Sequence, residues 1–471
     1  LASVTDPLGR TTAWAYDPRG LETQVTFPDG TTNTRAHDAT GNLTALADEL
    51  GRTTVMAYDE RGFLASMTDP SGVTVTYERD AVGRVTALTT PSGRRSETVY
   101  DAAGRPVQRI AGAGSPDQSV TATTYDPVGR PVSMTDGTGA VTASTRDIHG
   151  RVVAVTDPLG RVTTTAYDLA DNALVVTAPD GVAVMTRTHD ALDRVLTEKD
   201  GANRLTQYNW GYDGRLLSYV NPRNQTFSFA YDAEGRRISR TFPDGTQVRY
   251  AYDDAGQLLT RTKADNAVLT HAYDVRGRLV SLTSGPAANA MSWQYDAAGQ
   301  LLRATHGSHS TVDRTYDPAG RISSETQTIA GHGTHTFAYA HDIDGLPSTM
   351  TRPDGSTVGY SWTGRGQLDQ IFADGPPPLA DYTWDAVGRM TARTFESGGL
   401  QTTHTYDAAG QLLQVLNQSS AGILGSFAYA YDAAGQRTGG GSTVATVFLY
   451  DGCSATIGVP HGGGAPVWGI C

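Results

Sequence analysis

The chain has 471 residues, a formal charge of −12 and a calculated isoelectric point near 5.3. That balance argues against nucleic acid, which is bound through clustered Lys and Arg. There is no run of 18 or more apolar residues to span a membrane. The only two cysteines, Cys453 and Cys471, lie in the last 19 residues and decide neither redox compartment nor pairing.

The opening Leu1-Ala2-Ser3-Val4-Thr5-Asp6-Pro7 starts inside a motif that recurs throughout. The chain is therefore expected to be a piece of something longer, and there is no leader to read. The motif is clearest at Tyr58-Asp59-Glu60-Arg61-Gly62. It returns at Tyr100-Asp101-Ala102-Ala103-Gly104, Tyr231-Asp232-Ala233-Glu234-Gly235 and Tyr431-Asp432-Ala433-Ala434-Gly435. Aligned on the glycine there are 20 copies, from Gly20 to Gly435, and twelve of the 19 intervals are 21 residues long. A fixed period of this size marks a repeat architecture and overrides any division by length.

The slots are strict. Asp occupies its position in 18 of 20 copies, with Gly211 and Thr363 as exceptions, and Gly occupies its position in 18, with Asp171 and Asp193 as exceptions. The slot before Asp holds Tyr twelve times, and otherwise Trp, His or Arg, always a planar group. Arg or Gln follows the glycine in 15 copies. Such a long polar stem can cover a neighbouring ring.

A second turn lies between successive copies, as in Phe27-Pro28-Asp29-Gly30, Asp69-Pro70-Ser71-Gly72 and Asp157-Pro158-Leu159-Gly160. Asp caps such a turn through its side chain, Pro presets φ, and Gly takes the left-handed position that follows a type I hairpin turn. The segments between turns run six to eight residues and are rich in Thr, Val, Leu and Tyr, as in Thr53-Thr54-Val55-Met56-Ala57-Tyr58. This is strand composition, and no helical apolar spacing is sustained anywhere. The expected fold is all-β: each ~21-residue repeat is one antiparallel hairpin, and the hairpins pair edge to edge into one long sheet.

Three intervals of 25 residues carry extra residues at 111–116, 329–333 and 419–422, expected as longer loops on the second-turn side. The regular ribbon is expected over 1–437. Residues 438–471 read as a Gly-rich joint at Gly439-Gly440-Gly441-Ser442 followed by an irregular tail.

No catalytic, cofactor-binding or metal-binding residue emerges. His306/His309 and His332/His335 sit three apart, and on a strand such a pair points to opposite faces. His37, His189 and His341 fill the planar slot. Asp342-Ile343-Asp344-Gly345 begins like a calcium loop, but the twelfth position is Pro353 where a bidentate Glu is needed. There is no Gly-x-Ser-x-Gly elbow and no phosphate loop.

Tyr-Asp-x-x-Gly hairpins alternating with Asp-Pro-x-Gly turns at a 21-residue period resemble the Rhs/YD-repeat family over residues 1 to about 437. That family includes bacterial Rhs polymorphic toxins, the C subunits of insecticidal toxin complexes, cell-wall-associated toxins and animal teneurins. The resemblance implies a ribbon that spirals into a shell around a C-terminal toxic domain, which is released by self-cleavage in a segment after the repeats. It implies a secreted or cell-surface bacterial protein of interbacterial competition, with no enzymatic role for the repeats. The implied partners are a cargo domain and secretion-system or cap proteins.

The family's cleavage motif is not matched. Asp6-Pro7-Leu8-Gly9-Arg10 and Asp157-Pro158-Leu159-Gly160-Arg161 are ordinary repeat turns, so no catalytic residue carries over. Forty strands ~4.8 Å apart and ~25 Å wide cover roughly 5,000 Å², enough for a sphere of ~20 Å radius, which fits a piece of a shell. The alternative reading is an adhesin-like module that binds carbohydrate or a partner protein through exposed aromatic rows.

Overall fold

The computed structural model describes residues 2–285, 289–396 and 399–444. It contains 41 strands, from β1 (Ser3–Thr5) to β41 (Arg437–Val444), and no α-helix among the described residues. Every strand pairs antiparallel with the next one in sequence. For example, β6 (Thr53–Tyr58) pairs with β7 (Leu64–Thr68), and β40 (Gly422–Tyr431) pairs with β41. The result is one continuous sheet, as the alternating strand and turn composition predicts.

The two turn types make the two edges of this ribbon. In each Tyr-Asp turn the glycine N–H donates to the Asp carbonyl, and the Asp N–H donates to the carbonyl of the residue after the glycine. The ladder shifts by one residue there, between Ala57 and Tyr58 in β6. This is the type I turn followed by a left-handed bulge residue. Gly62 has φ 82°, and the two aspartates in the glycine slot keep the same geometry, Asp171 at 69° and Asp193 at 61°. Asp tolerates that region better than most residues because its short side chain bonds locally.

Alternation gives the sheet two unlike faces. Tyr58, Met56 and Met67 lie on one, while Val55, Ala57, Ser66 and Thr68 lie on the other. Burial is shallow on both. Among the described residues Val25, Ala87, Ala178, Val248, Val358 and Ala380 are the buried apolar ones, and no large side chain is fully enclosed.

Two expectations are corrected. The insertions at 329–333 and 419–422 lengthen strands rather than loops. β31 (Ile322–Ile329) and β32 (Gly333–His341) pair as far as Ile329↔Gly333, and β39 (Leu412–Ser419) pairs with β40 as far as Ser419↔Gly422. Extra residues that continue the ladder satisfy their own backbone groups, which a loop leaves to water. The insertion at 111–116 does form a loop. Second, Gly439–Ser442 is not a joint but the middle of β41, paired in register with Ala428, Tyr429 and Ala430. Residues 445–471, with Cys453 and Cys471, lie outside the described residues.

The hairpin ladder and the coil seam as the candidate functional site

The planar slot does more than stack. Tyr58 Oη donates to the Leu43 carbonyl at 2.8 Å, 15 residues back on the preceding hairpin. Tyr100 reaches Val85, Tyr167 reaches Val152, Tyr231 reaches Leu216 and Tyr316 reaches Leu301, at 2.7 to 3.0 Å. Where Trp replaces Tyr, the indole N–H makes the same bond: Trp210 to Val195 and Trp384 to Leu368. Arg79 does so through Nε to Leu64. The slot therefore favours a flat group with a donor at its tip, and His37 and His189, which fill it without this bond, leave Nδ1 buried and unpartnered. The signal was present in the sequence: none of the chain's ten Phe occupies any of the 20 slots.

The turn aspartate accepts from one or two backbone N–H groups, two in the case of Asp126, whose Oδ1 takes those of Val128 and Arg130. Asp101 Oδ1 takes the Arg105 N–H at 2.9 Å, and Oδ2 takes Arg105 Nε at 2.7 Å. The backbone bond is the main cause holding the Asp101 carboxyl below the usual carboxylate range. The Arg that follows the glycine is thus clamped at its base. Its tip reaches forward to the next turn, where Arg151 Nη1 donates to the Asp168 carbonyl at 2.7 Å and Arg236 Nη1 to Asp253 at 2.9 Å. On the way it crosses the next ring: Arg84 lies 4.6 Å from the Tyr100 centroid, Arg151 4.9 Å from Tyr167 and Arg389 4.7 Å from Tyr406. One repeat is thereby tied to the next by a hydrogen bond, a cation–π contact and a ladder of backbone bonds.

A second set of contacts joins residues 227 to 267 positions apart. The second turns of the first half of the ribbon meet the Tyr-Asp turns of the second half. Arg10 Nη1 donates to Gln257 Oε1 at 2.7 Å, and Arg161 Nη1 to Gln411 Oε1 at 2.9 Å. Asp344 is nearly enclosed, at 3% side-chain exposure, and binds Arg94 as well as Thr90 Oγ1 and the Ser92 N–H. Arg365 binds Asp117, Ser119 donates to the Ala386 carbonyl, and Arg276 pairs with Glu49 while lying 3.9 Å over the Phe27 ring. The ribbon therefore winds into a spiral of about 250 residues per turn, and one coil is stapled to the next along a polar seam.

The histidine pairs gather no further ligand. The rings of His306 and His309 are 5.2 Å apart, and no group of three metal-ligating side chains occurs among the described residues. The calcium-like Asp342-Ile343-Asp344 is explained by the seam. An open cavity of about 270 Å³ beside it is lined by Leu88, Arg94, Leu346 and Arg365. No helix of the described residues is long and apolar enough to cross a membrane.

With this geometry in view, the RHS Repeat family model matches residues 1–32, 37–74, 58–95, 79–116, 147–183, 210–247, 231–268 and 381–417, a little over half of the chain. The chain belongs to the RHS repeat family. The Teneurin YD-shell model matches residues 259–375 of this RHS chain. Among solved structures the chain is similar to "Crystal Structure of TcdB2-TccC3", with a TM-score of 0.71, 14% identity, 94% of this chain covered and 31% of that one. It is also similar to the Photorhabdus luminescens Tc holotoxin pore carrying the mutation TccC3-D651A, with a TM-score of 0.58, 15% identity, 90% of this chain covered and 27% of that one. At these identities the likeness is one of fold. The RHS chain spans about a third of the length of those structures. A search of the curated proteins found no match.

Proposed function

We propose that this RHS chain is a structural shell segment of a secreted bacterial toxin of the Rhs type, which encloses or carries a toxic cargo domain lying outside the chain. The observation that carries this reading is the seam. It turns an open ribbon into a wall, because the turns along one edge of the first coil are held against the turns of the second by hydrogen bonds and ion pairs. The fold likeness to the TcdB2-TccC3 structure supports the same reading.

The role is non-enzymatic. The conspicuous carboxylates are committed: Asp101 to its own turn, Asp344 to the seam. The adhesin-like reading needs free ring faces, but Tyr100, Tyr167 and Tyr406 already lie under guanidinium groups. It is not carried further.

The test is protection. The chain is co-expressed with a candidate cargo segment fused after residue 471, and the particle is treated with protease. Retention of intact cargo by the wild-type wall, and its loss when the seam is broken, supports the proposal. Cargo digested as fast as the free segment refutes it.

A further inference from the structure

The residue after each turn glycine on the two sides of the seam shows a pattern that neither side shows alone. On the first coil, the second turns place Arg10, Thr31, Arg52, Val73, Arg94, Ala140 and Arg161 after their glycines. On the second coil, the facing Tyr-Asp turns place Gln257, Arg278, Gln300, Arg321, Leu346, Arg389 and Gln411. The pairings are fixed by contacts. Arg10 binds Gln257, Arg52 binds Gln300 and Arg161 binds Gln411. Arg321 reaches Ser71, and Arg94 lies beside Leu346 in one cavity. Arg278 and Arg389 act electrostatically on Asp29 and Asp136, in the turns that end at Thr31 and Ala140. At each of these seven stations one side carries an Arg and the other does not; the turn ending at Gln367, which faces the loop holding Ser115 and Asp117, stands outside the pattern.

The guanidinium has the same job from either side. Within a coil it lies against the glycine of the next turn: Arg84 Nη1 is 3.0 Å from where a side chain would begin at Gly104, and Arg389 Nη1 stands equally close at Gly410. Where the second coil lacks that Arg, the first coil supplies it. The amide nitrogens of Gln257, Gln300 and Gln411 stand nearest that point, 3.1, 3.0 and 3.1 Å away at Gly277, Gly320 and Gly435, and directly behind them come Arg10 Nη1 at 3.6 Å, Arg52 Nη1 at 3.4 Å and Arg161 Nη1 at 3.5 Å. Gln257, Gln300 and Gln411 bridge the gap, each accepting from the incoming Arg and donating to the carbonyl of the next glycine, at 3.1, 2.7 and 2.9 Å.

We infer that this alternation is a register code: Arg10, Arg52 and Arg161 are specificity-determining residues that fix which repeat of one coil docks on which repeat of the next. Away from the loop holding Ser115 and Asp117, the turns on each side share one backbone geometry, so a slip of one unit would bring turns of the same shape together. Such a slip one way brings Arg10 to Arg278 and Arg52 to Arg321, and leaves Thr31 with Gln300 and Ala140 with Gln411. A slip the other way brings Arg52 to Arg278, Arg94 to Arg321 and Arg161 to Arg389. Either slip doubles the cation at some stations and empties others, and like charges in contact discriminate against wrong partners. The inference rests on the seam and not on the cargo reading.

The test uses the full chain and amide hydrogen exchange at the turns around Gly277, Gly320 and Gly435. Q257R puts a second cation opposite Arg10. Two unit charges meeting at about 4 Å in water-like surroundings correspond to roughly a five-fold rise in the local opening equilibrium. The rise should shrink as NaCl is raised to 1 M, because exposed charges are screened. Adding R10T, which recreates the Thr31–Arg278 arrangement, should remove most of it in a double-mutant cycle. Q257M is the uncharged control, and its smaller effect should not depend on salt. An R10T/Q257R chain whose opening equals the combined single effects overturns the inference, as does a salt-independent Q257R. If Q257R does not fold, the same cycle is run with A140R against Arg389 and R389Q as its partner. Loss of cargo protection with an intact cycle, or the reverse, separates this inference from the shell proposal.

Discussion

Replacing Asp274 with Ala should open one hairpin and leave its neighbours closed. Asp274 sits between β26 (Val268–Tyr273) and β27 (Leu279–Thr283). Its Oδ1 accepts from the Arg276 N–H at 2.9 Å and the Arg278 N–H at 3.0 Å, and its Oδ2 from Arg278 Nε at 2.7 Å. Each backbone bond contributes about 1 kcal/mol net, near the middle of the usual range because the turn is wet. The ion pair, with both partners a fifth to a quarter exposed, adds at most ~1 kcal/mol. Asp274→Ala therefore costs about 2–3 kcal/mol, a rise of roughly 30- to 150-fold in the local opening constant. Asp274→Asn keeps the acceptor for both N–H groups and should cost ~1 kcal/mol. Because each repeat contacts only the adjacent repeats and the turns facing it across the seam, exchange should quicken in β26, β27 and those turns, not along the whole ribbon. Hydrogen exchange read by mass spectrometry decides it. A change under three-fold for Asp274→Ala, or an Asn variant as damaged as the Ala variant, would refute the capping argument.

Three further outcomes follow from the same geometry. Tyr58→Phe keeps the ring but loses the bond to the Leu43 carbonyl. It should cost ~1 kcal/mol in urea unfolding, while Tyr58→Trp should restore most of the loss by the route Trp210 uses. Gly160→Ala meets open space at φ 79°, so its penalty of about 1–2 kcal/mol is purely conformational. Gly160→Asn should recover part of it, as Asn203 does at φ 59° in its own turn. Acid should loosen the turns: the Arg105 and Arg130 backbone N–H groups hold the Asp101 and Asp126 carboxyls below the usual carboxylate range. A depressed folded value means that the stabilisation is complete above about pH 4 and is lost as pH falls through the folded values. Circular dichroism melts that do not change between pH 5 and pH 2 would contradict it.

The ribbon was legible because each of its parts is local. An Asp that caps its own turn, a residue that must take positive φ and a strand of alternating Thr and Val all announce themselves within six residues of chain. The twenty-fold repetition of Tyr-Asp-x-x-Gly then averaged away the exceptions, and Asp171 and Asp193 proved to share the glycine's backbone. The seam was not legible, because it joins residues some 250 positions apart and depends on how tightly the sheet coils, which no single repeat records. Yet its trace was there. Gln follows the glycine five times, at Gln257, Gln300, Gln367, Gln411 and Gln436, every one of them in the second half. Read as equivalent to Arg within a general covering role, Gln257, Gln300 and Gln411 concealed the stations at which the first coil supplies the cation. Gly439–Ser442 was obscured for a different reason: glycine-rich sequence suggests freedom, but pairing with Phe427, Ala428, Tyr429 and Ala430 of β40 holds the strand through its backbone regardless of side chain.

A wall one sheet thick has a measurable consequence for the molecule's size. A compact protein of 49.9 kDa exposes roughly 17,000 Å² by the usual scaling of surface with mass. This chain exposes 27122 Å². The excess agrees with the absence of any large, fully enclosed side chain: both faces of the ribbon are wetted, and stability is spread over the repeated turn, ring and seam contacts instead of residing in a centre. Small-angle scattering should therefore give a radius of gyration well above the ~23 Å expected of a compact domain of this length. Breaking the seam, for instance with Asp344→Lys opposite Arg94, should raise it further without loss of strand signal in circular dichroism, because the ladder within each coil does not need the other coil. A value at or below 23 Å for the wild-type chain would mean that the ribbon folds back on itself and that its faces bury one another, which no wall built to hold a separate body can do.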